Sequence, residues 1–264
     1  MDKAGHTLAI VNQKGGVGKT TTTINLAAAL TLKGYSILII DLDPQGNAST
    51  GLGVGKGSQA ITLYEVMMET QPMTAAIHTT SVPGLSIIPS HIDLSAAELE
   101  IGQQSGRTGR LKNALDPVRE QYDYILIDCP PALGLLTINA LVAAHSVLVP
   151  LQCEFFALEG LSQLLKTVEM AKSSLNPNLF IQGVMLTMYD VRNRLSDQVA
   201  QDVRHHLGRA VFNTLIPRNV RIAEAPSFGK PVMMYDPSSS GAKAYLSLAE
   251  ELLVRDRQRH KRNK

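Results

Sequence analysis

Short apolar runs alternate with helical patterns along most of the 264-residue chain. Two of the runs, 37–40 and 125–127, are continuously apolar, which is typical of parallel strands covered on both faces. Helical patterns lie between the runs, for example over residues 161–175 and 196–207. The alternation predicts an α/β fold with a doubly wound, mostly parallel sheet flanked by helices. Seven strands are predicted, at residues 8–12, 36–41, 85–89, 122–128, 146–151, 181–187 and 211–216.

The composition favours a single folded domain, which we place at residues 1–254. Hydrophobic residues make up 44% of the chain and charged residues 18%, as in soluble globular proteins. No apolar run approaches the roughly 20 residues of a membrane span, and the polar N-terminus is unlike a secretory signal. The segment 47–58 is rich in Gly, Ser and Thr and predicts a surface loop. Cys129 and Cys153 follow apolar runs and indicate buried, reduced thiols in a cytoplasmic protein.

The net charge of +2 is unevenly distributed. Residues 255–264 hold six Lys or Arg and one Asp, a net of +5, which leaves 19 positive and 22 negative charges in the rest. We therefore expect 255–264 to be a basic, disordered tail. Because the body is not basic overall, nucleic-acid binding would need a local patch or this tail.

A glycine-rich segment, QKGGVGKTTT at residues 13–22, lies between an apolar strand-like run and an apolar helix-like run. This is the setting of a phosphate-binding loop, in which backbone amides and the helix N-terminus face phosphate oxygens. In that motif Lys19 would contact the β- and γ-phosphates and Thr20 would bind Mg²⁺. The segment departs from the standard motif because Gln13 occupies a glycine position and Lys14 adds a second lysine.

Three aspartates follow predicted strands, at the edge where such a loop would lie. Asp41 and Asp43 follow the apolar run 37–40, and Asp128 follows the run 124–127. Carboxylates at this edge suit Mg²⁺ and its water ligands. We expect Asp128 to hold Mg²⁺ through water, Asp41 to support the metal's water shell, and Asp43 to orient the attacking water or accept its proton.

Together these motifs resemble chromosomal ParA/Soj partition ATPases, which carry a deviant Walker A loop. The resemblance runs from about residue 8 to about residue 253 and rests on five ordered segments: KGGVGKT (14–20), DLDPQGN (41–47), IDCPP (127–131), QCEFFALEGL (152–161) and IPRNVR (216–221). It implies a cytoplasmic, nucleoid-associated ATPase that uses ATP or ADP with Mg²⁺. It also implies a sandwich homodimer that forms on ATP binding.

The resemblance assigns roles to individual residues. Lys14 would reach across the dimer to the partner's nucleotide, and Gly15 would lie where the protomers meet closely. Asp43 would be the switch aspartate needed for hydrolysis, while Pro217 and Asn219 would hold the adenine. The nucleotide-binding loop would comprise Lys14, Gly15, Gly16, Val17, Gly18, Lys19, Thr20 and Thr21.

The dimer also follows from an argument that does not depend on the family. No arginine stands next to the loop motif. Loops of this kind hydrolyse slowly until a positive charge arrives, often from a partner molecule. Lys14 is a suitable donor, so slow turnover would make the protein a timer or switch.

For DNA, the resemblance implies that Arg192 and Arg221 bind duplex DNA of any sequence. Such phosphate contacts weaken steeply with salt. A ParB-like centromere-binding partner would stimulate hydrolysis and release the DNA, which would segregate a chromosome or plasmid. Larger plasmid ParA proteins carry an N-terminal helix-turn-helix that reads an operator. The seven residues before the first predicted strand leave no room for it, so we expect no operator reading.

Four alternatives share the same core. A MinD-like septum regulator would end in an amphipathic membrane helix, but residues 255–264 contain no aliphatic or aromatic side chain, so we expect no membrane insertion. A ParA-like ATPase could position a protein cargo instead of DNA, and a metabolic kinase would need a second pocket. A bridging iron–sulfur cluster, as in the related nitrogenase iron protein, is disfavoured because Cys129 and Cys153 lack metal-type spacing.

Overall fold

A central sheet organises the molecule. The computed structural model describes residues 5–55, 61–154 and 157–262, and in these ranges eight strands form the sheet. The strands are β1 (His6–Ile10), β2 (Ile37–Asp41), β3 (His78–Thr79), β4 (Leu85–Ile88), β5 (Tyr124–Asp128), β6 (Ser146–Gln152), β7 (Phe180–Tyr189) and β8 (Val211–Pro217).

The strand order is β3-β4-β2-β5-β1-β6-β7-β8. Every neighbouring pair is parallel except β3 with β4, which is antiparallel. The first strand lies inside the sheet between β5 and β6, and later strands extend the sheet on both sides. The predicted doubly wound, mostly parallel sheet is therefore confirmed. The carboxyl ends of its parallel strands share one edge, where ligands bind in this architecture.

Helices cover both faces of the sheet. Strand neighbours point to opposite faces, so Ile37 and Ile39 join one hydrophobic cluster while Leu38 and Ile40 join the other. Both faces are buried, which explains the continuously apolar strands. The helices are α1 (Lys19–Thr31), α2 (Asn47–Gly51), α3 (Leu63–Met67), α4 (Leu94–Gly102), α5 (Arg110–Leu115), α6 (Leu135–Ala143), α7 (Ala157–Ser174), α8 (Arg194–Leu207), α9 (Val220–Glu224), α10 (Val232–Tyr235) and α11 (Ser240–Arg262).

The seven predicted strands all occur, with bounds that differ by at most two residues. The strand β3 was not predicted, because two residues are too short to show a period. The surface-loop prediction for 47–58 is wrong over its first part, where Asn47–Gly51 forms α2. Small residues allow α2 to pack closely, since a Cβ on Gly51 would lie 2.7 Å from Cδ1 of Ile24. Residues 56–58 lie outside the described ranges.

The predicted disordered tail differs from the structure, in which α11 continues without a break to Arg262. The reason is packing at the amino-terminal end of the sheet. The guanidinium of Arg255 lies 3.9 Å from the centroid of the Phe212 ring. The buried carboxylate of Asp256 accepts hydrogen bonds from Tyr124 Oη at 2.7 Å and Gln182 Nε2 at 2.6 Å. The basic segment is therefore partly used to fix the last helix. Over the described ranges, none of the helices has the length and apolar character needed to cross a membrane.

Two stacked histidines at the same end of the sheet make stability depend on pH. The rings of His6 and His145 lie 5.4 Å apart, and Nδ1 of His145 accepts a hydrogen bond from the Thr7 amide at 2.9 Å. Burial, together with the smaller effects of the nearby His6 and Arg119, lowers the pKa of His145 to about 4. The folded state thus keeps this ring neutral at pH values where the unfolded chain takes up a proton.

We therefore expect the free energy of unfolding to fall as the pH falls from 6.5, the ordinary value for His, towards 4. The variant His145→Asn keeps an acceptor but does not titrate. It should lose about 1 kcal/mol less than the wild type between about pH 7 and about pH 5, measured by urea unfolding. The exposed His206→Asn is the matched control and should follow the wild type. An identical pH dependence in both variants would contradict the role of His145.

Candidate functional site

The loop between β1 and α1 has the backbone shape of a phosphate cradle. Gly16 and Gly18 have φ values of 74° and 92°, in the left-handed region that favours glycine. Gly18 is the N-cap of α1 and no side chain caps that helix end, so the first amides of α1 are available to a ligand. A Cβ on Gly15 or Gly16 would meet nothing within 4 Å. The outer side of the loop is thus open in a single protomer.

Two polar side chains that the sequence analysis did not single out anchor this loop. Asn12 is buried, accepts from the Lys14 amide at 3.0 Å and donates to the Pro150 carbonyl at 2.7 Å. On the other flank, the Thr187 hydroxyl donates to the Val17 carbonyl at 2.8 Å. Contacts from a side chain to a distant backbone group leave no period or motif in a sequence, so only the fold reveals them.

The two lysines of the loop have different surroundings. Lys19 is buried and its ammonium donates to the Lys14 carbonyl at 3.0 Å, inside the cradle. Burial lowers its pKa, and the carboxylates of Asp128 and Asp43 oppose that shift. Lys14 is half-exposed, and its ammonium forms an ion pair with Glu154 of the same chain. The structure therefore places Lys19 inside the cradle and Lys14 outside it.

Asp41 and Asp128 lie side by side at the ends of β2 and β5, where they are register partners. Both are fully buried. Asp41 Oδ2 accepts from the Ser49 amide at 2.8 Å and hydroxyl at 2.6 Å, and Asp128 Oδ1 accepts from the Thr23 hydroxyl at 3.2 Å. The remaining oxygens, Asp41 Oδ1 and Asp128 Oδ2, are buried with no hydrogen-bond partner. Burial raises the pKa of both carboxyl groups, and the charge of Asp41 adds to the rise at Asp128.

Two neighbouring carboxylate oxygens without partners fit a hydrated divalent cation. Mg²⁺ in phosphate sites takes one or two carboxylates and completes its shell with water and phosphate oxygens. In the described ranges, no group of three or more His, Cys, Asp or Glu is placed to hold a metal. The remaining ligands of such a cation would therefore be water, nucleotide and the Thr20 hydroxyl. Thr20 is half-buried in the first turn of α1. Burial is the largest effect on the pKa of Asp128 and raises it, whereas the nearby Thr20 hydroxyl lowers it.

Asp43 is separate from this pair but close to it. It is almost buried, and its Oδ1 accepts from the Gln45 amide at 3.0 Å, which closes a turn before α2. Its charge adds to the burial effect on the pKa of Asp128. The charge of Asp43 also opposes the fall in the pKa of Lys19, so the two side chains lie near each other.

The two residues predicted to hold adenine lie at the same edge of the sheet. Pro217 ends β8 and pairs in register with Tyr189 of β7. Asn219 is the N-cap of α9, and its Oδ1 accepts from the Arg221 amide at 2.8 Å and the Ile222 amide at 3.3 Å. Its Nδ2 donates to the Ser240 hydroxyl at 2.8 Å. The capping of α9 is by itself a sufficient reason for an asparagine at this position, so the contact of Asn219 with adenine stays a prediction.

The two predicted DNA-binding arginines are exposed and follow β7 and β8. Arg192 makes a two-point contact with Asp190, with both N–O distances 3.0 Å. Arg221 pairs with Glu224 at 2.9 Å and with Asp236 at 3.3 Å. The loops that carry them are joined, because the Arg218 amide donates to the Tyr189 carbonyl at 3.0 Å. Both arginines therefore share the edge of the phosphate loop, and both have carboxylate partners in their own chain.

A glycine-rich loop that runs from a central strand into a helix N-terminus, beside buried aspartates at the ends of parallel strands, defines a P-loop type of nucleotide-binding fold. A family model described as "AAA domain" matches residues 5–181. The chain is 58% identical over 254 residues to the chromosome partitioning protein ParA of Caulobacter vibrioides, covering 96% of this chain and 95% of that one. It is 51% identical to the sporulation initiation inhibitor protein Soj of Bacillus subtilis, over 94% and 98% of the two chains.

Among solved structures, cobyrinic acid a,c-diamide synthase from Mycobacterium smegmatis with a bound ATP analogue and magnesium is similar, with a TM-score of 0.83 and 38% identity. The similarity covers 94% of each chain. The chain belongs to the ParA/Soj family of chromosome-partitioning ATPases, as the ordered motifs predicted.

The buried carboxylate pair yields a prediction for Asp128→Asn. Without nucleotide or metal, the wild type should lose stability as the pH rises above about 4, where the unfolded chain ionises this group, because the folded state holds its pKa well above that value. The amide removes that cost, so the variant should melt higher than the wild type at about pH 8. Its Mg²⁺ affinity in the presence of ADP should fall about tenfold or more.

Differential scanning fluorimetry and calorimetric titration with Mg²⁺ and ADP would measure both effects. The exposed Asp202→Asn is the matched control and should change neither. A variant that melts below the wild type at about pH 8, or binds Mg²⁺–ADP equally well, would show that Asp128 is an ordinary structural residue.

Proposed function

We propose that this chain is a Mg²⁺-dependent ATPase that binds DNA of any sequence as an ATP-bound dimer and releases it after hydrolysis. The observation that carries the proposal is the placement of the two lysines in one loop. Lys19 is buried and donates to the loop backbone, while the Lys14 side chain is exposed, so a second protomer could reach it. A phosphate loop that serves one protomer alone has no need of the outer lysine.

In the proposed site, this chain's residues position the phosphates and the attacking water. The amides of α1 and the Lys19 ammonium hold the phosphates. Thr20, Asp41 and Asp128 would hold Mg²⁺, which when bound neutralises charge on the β- and γ-phosphates. Asp43 is then placed to orient water or to accept its proton.

Dimerisation requires an exchange of partners at Lys14. Its ammonium is paired with Glu154 within the protomer, and binding to the partner's nucleotide would replace that contact. The pair is partly exposed, with 53% and 29% of the two side chains accessible, so the exchange costs little. Turnover would be slow until the dimer is complete, and a ParB-like partner would accelerate it. We expect such a protein to work in the cytoplasm, on the nucleoid.

DNA binding requires a similar exchange at Arg192 and Arg221. Both arginines are exposed, and ion pairs at such positions contribute little to stability, so a DNA phosphate could replace a carboxylate. A dimer presents two such surfaces on one duplex, which raises avidity without any new contact. The binding should be independent of sequence and sensitive to salt.

The DNA surface is tested by Arg221→Glu. The wild type should bind a random duplex with ATP, more weakly with ADP, and less at higher salt. The variant should bind ATP normally but lose DNA affinity by about tenfold or more. The reason is that each subunit exchanges a positive charge for a negative one, which the DNA phosphates repel. Fluorescence anisotropy at two salt concentrations measures this change. Arg209→Glu is the matched control, because Arg209 is exposed but precedes β8 at the opposite edge. Equal losses in both variants would indicate a diffuse charge effect and discard the proposed surface.

The hydrolytic role is tested by Asp43→Ala. Loss of a group that orients water or accepts its proton should slow ATP turnover by about 10²-fold while ATP binding persists. Dimers should then accumulate on DNA. Phosphate release measured with DNA present reports turnover, and Asp202→Ala serves as the surface control. Turnover of the Asp43 variant at the wild-type rate would remove Asp43 from the mechanism.

A further inference from the structure

The buried side chain of Thr187, near the end of β7, contacts the phosphate loop. Its hydroxyl donates to the Val17 carbonyl at 2.8 Å, and only 2% of the residue is exposed. Thr187 also lies against the next residue of the loop, since a Cβ on Gly18 would be 3.8 Å from Cγ2 of Thr187. Neither contact belongs to a recognised nucleotide-binding motif of the sequence.

The hydrogen bond fixes the direction of one peptide group in the cradle. The peptide between Val17 and Gly18 is planar and trans, so its C=O and N–H point in opposite directions. With the carbonyl held towards Thr187, the Gly18 amide points away from that side chain. That amide directly precedes those of α1, which are available to phosphate oxygens.

The position of Thr187 is itself enforced by its neighbours. The Thr187 carbonyl accepts from the Cys153 amide at 3.3 Å, and Thr187 pairs in register with Gln152 of β6. The next residue, Met188, has a φ of 52°, a left-handed conformation that is rare for a residue other than glycine. The β7–β8 register shifts at this point, between Leu186 and Tyr189. Strain of this kind persists where the surroundings hold the backbone firmly, often beside functional sites.

We propose that Thr187 is a positioning residue of the nucleotide site, which orients the Gly18 amide towards the phosphates of the bound nucleotide. This inference rests on the proposed function, because it requires a nucleotide in the loop. Without the hydroxyl, the Val17 carbonyl loses its partner and the glycine-flanked peptide is free to rotate. A rotated peptide would present a carbonyl oxygen, not an amide, to a phosphate.

The test compares two substitutions at this position in the full chain. Thr187→Val keeps the shape of threonine but removes the donor, whereas Thr187→Ser keeps the donor. Calorimetric titration with Mg²⁺–ADP and Mg²⁺–ATPγS should show about tenfold weaker binding by the Val variant and binding by the Ser variant within about threefold of the wild type. Thr31→Val is the matched control, because its hydroxyl also donates to a backbone carbonyl, that of Ala28 at 2.8 Å, at the far end of α1.

A purely structural role for Thr187 predicts a different pattern. The melting temperature of the nucleotide-free protein would then fall in the Val variant while the nucleotide affinity stayed unchanged. That result would overturn the proposal, as would equal losses of affinity in the Ser and Val variants. If the Val variant does not fold, Thr187→Cys takes its place and is compared with Thr187→Ser, because the two side chains are of similar size. The Ser variant should bind Mg²⁺–ADP more tightly, because a thiol is the weaker donor; equal affinities would reject the proposal.

Lys19→Ala separates failure of this inference from failure of the proposed function. If Lys19→Ala binds Mg²⁺–ADP as well as the wild type, the nucleotide is not held by this loop, and both proposals fail. If Lys19→Ala loses binding and Thr187→Val keeps it, the nucleotide site stands and the role of Thr187 is wrong. Loss in both, with full binding by Thr31→Val, supports the role of Thr187.

Discussion

Two carboxylates buried side by side, Asp41 and Asp128, are the constraint on which the rest of the site depends. The parallel order of β2 and β5 forces their register, and each keeps one oxygen without a partner. Two like charges in a buried position raise each other's pKa and oppose folding unless a proton or a cation compensates. Mg²⁺ would remove that cost. Mg²⁺ bound at this pair would therefore stabilise the fold, and nucleotide binding would add stability through the same ion.

The phosphate loop shows how the sheet turns this electrostatic need into a shaped site. The loop leaves the central strand β1 and is held on both flanks by later strands, through Asn12 to β6 and through Thr187 to β7. Nothing lies within 4 Å of the Cβ position at Gly15 or Gly16, so the outer side of the loop is open. The cradle is thus rigid where it meets its own sheet and exposed where a second molecule could approach. Lys14, Arg192 and Arg221 are exposed, and each forms an ion pair with a carboxylate of its own chain.

Much of this could be predicted from the sequence, and the reasons are physical. Continuous apolar runs such as 37–40 are typical of strands buried on both faces, and the loop glycines with Lys19 have a recognisable spacing. What the sequence did not reveal depends on contacts between distant residues. The helix α2 forms because small residues fit against Ile24, and the basic tail is helical because Arg255 and Asp256 find partners on the sheet. The same is true of Asn12 and Thr187, whose importance lies in which backbone groups they reach.

In the proposed function, a second copy of the chain completes the nucleotide site. Sedimentation velocity of the purified protein, with Mg²⁺ and ATPγS, with Mg²⁺ and ADP, and without nucleotide, tests it most directly. The account predicts a dimer with Mg²⁺–ATPγS and a monomer in the other two conditions, with the dimer lost when Lys14 is replaced by alanine. A protein that remains monomeric while saturated with Mg²⁺–ATPγS would contradict it.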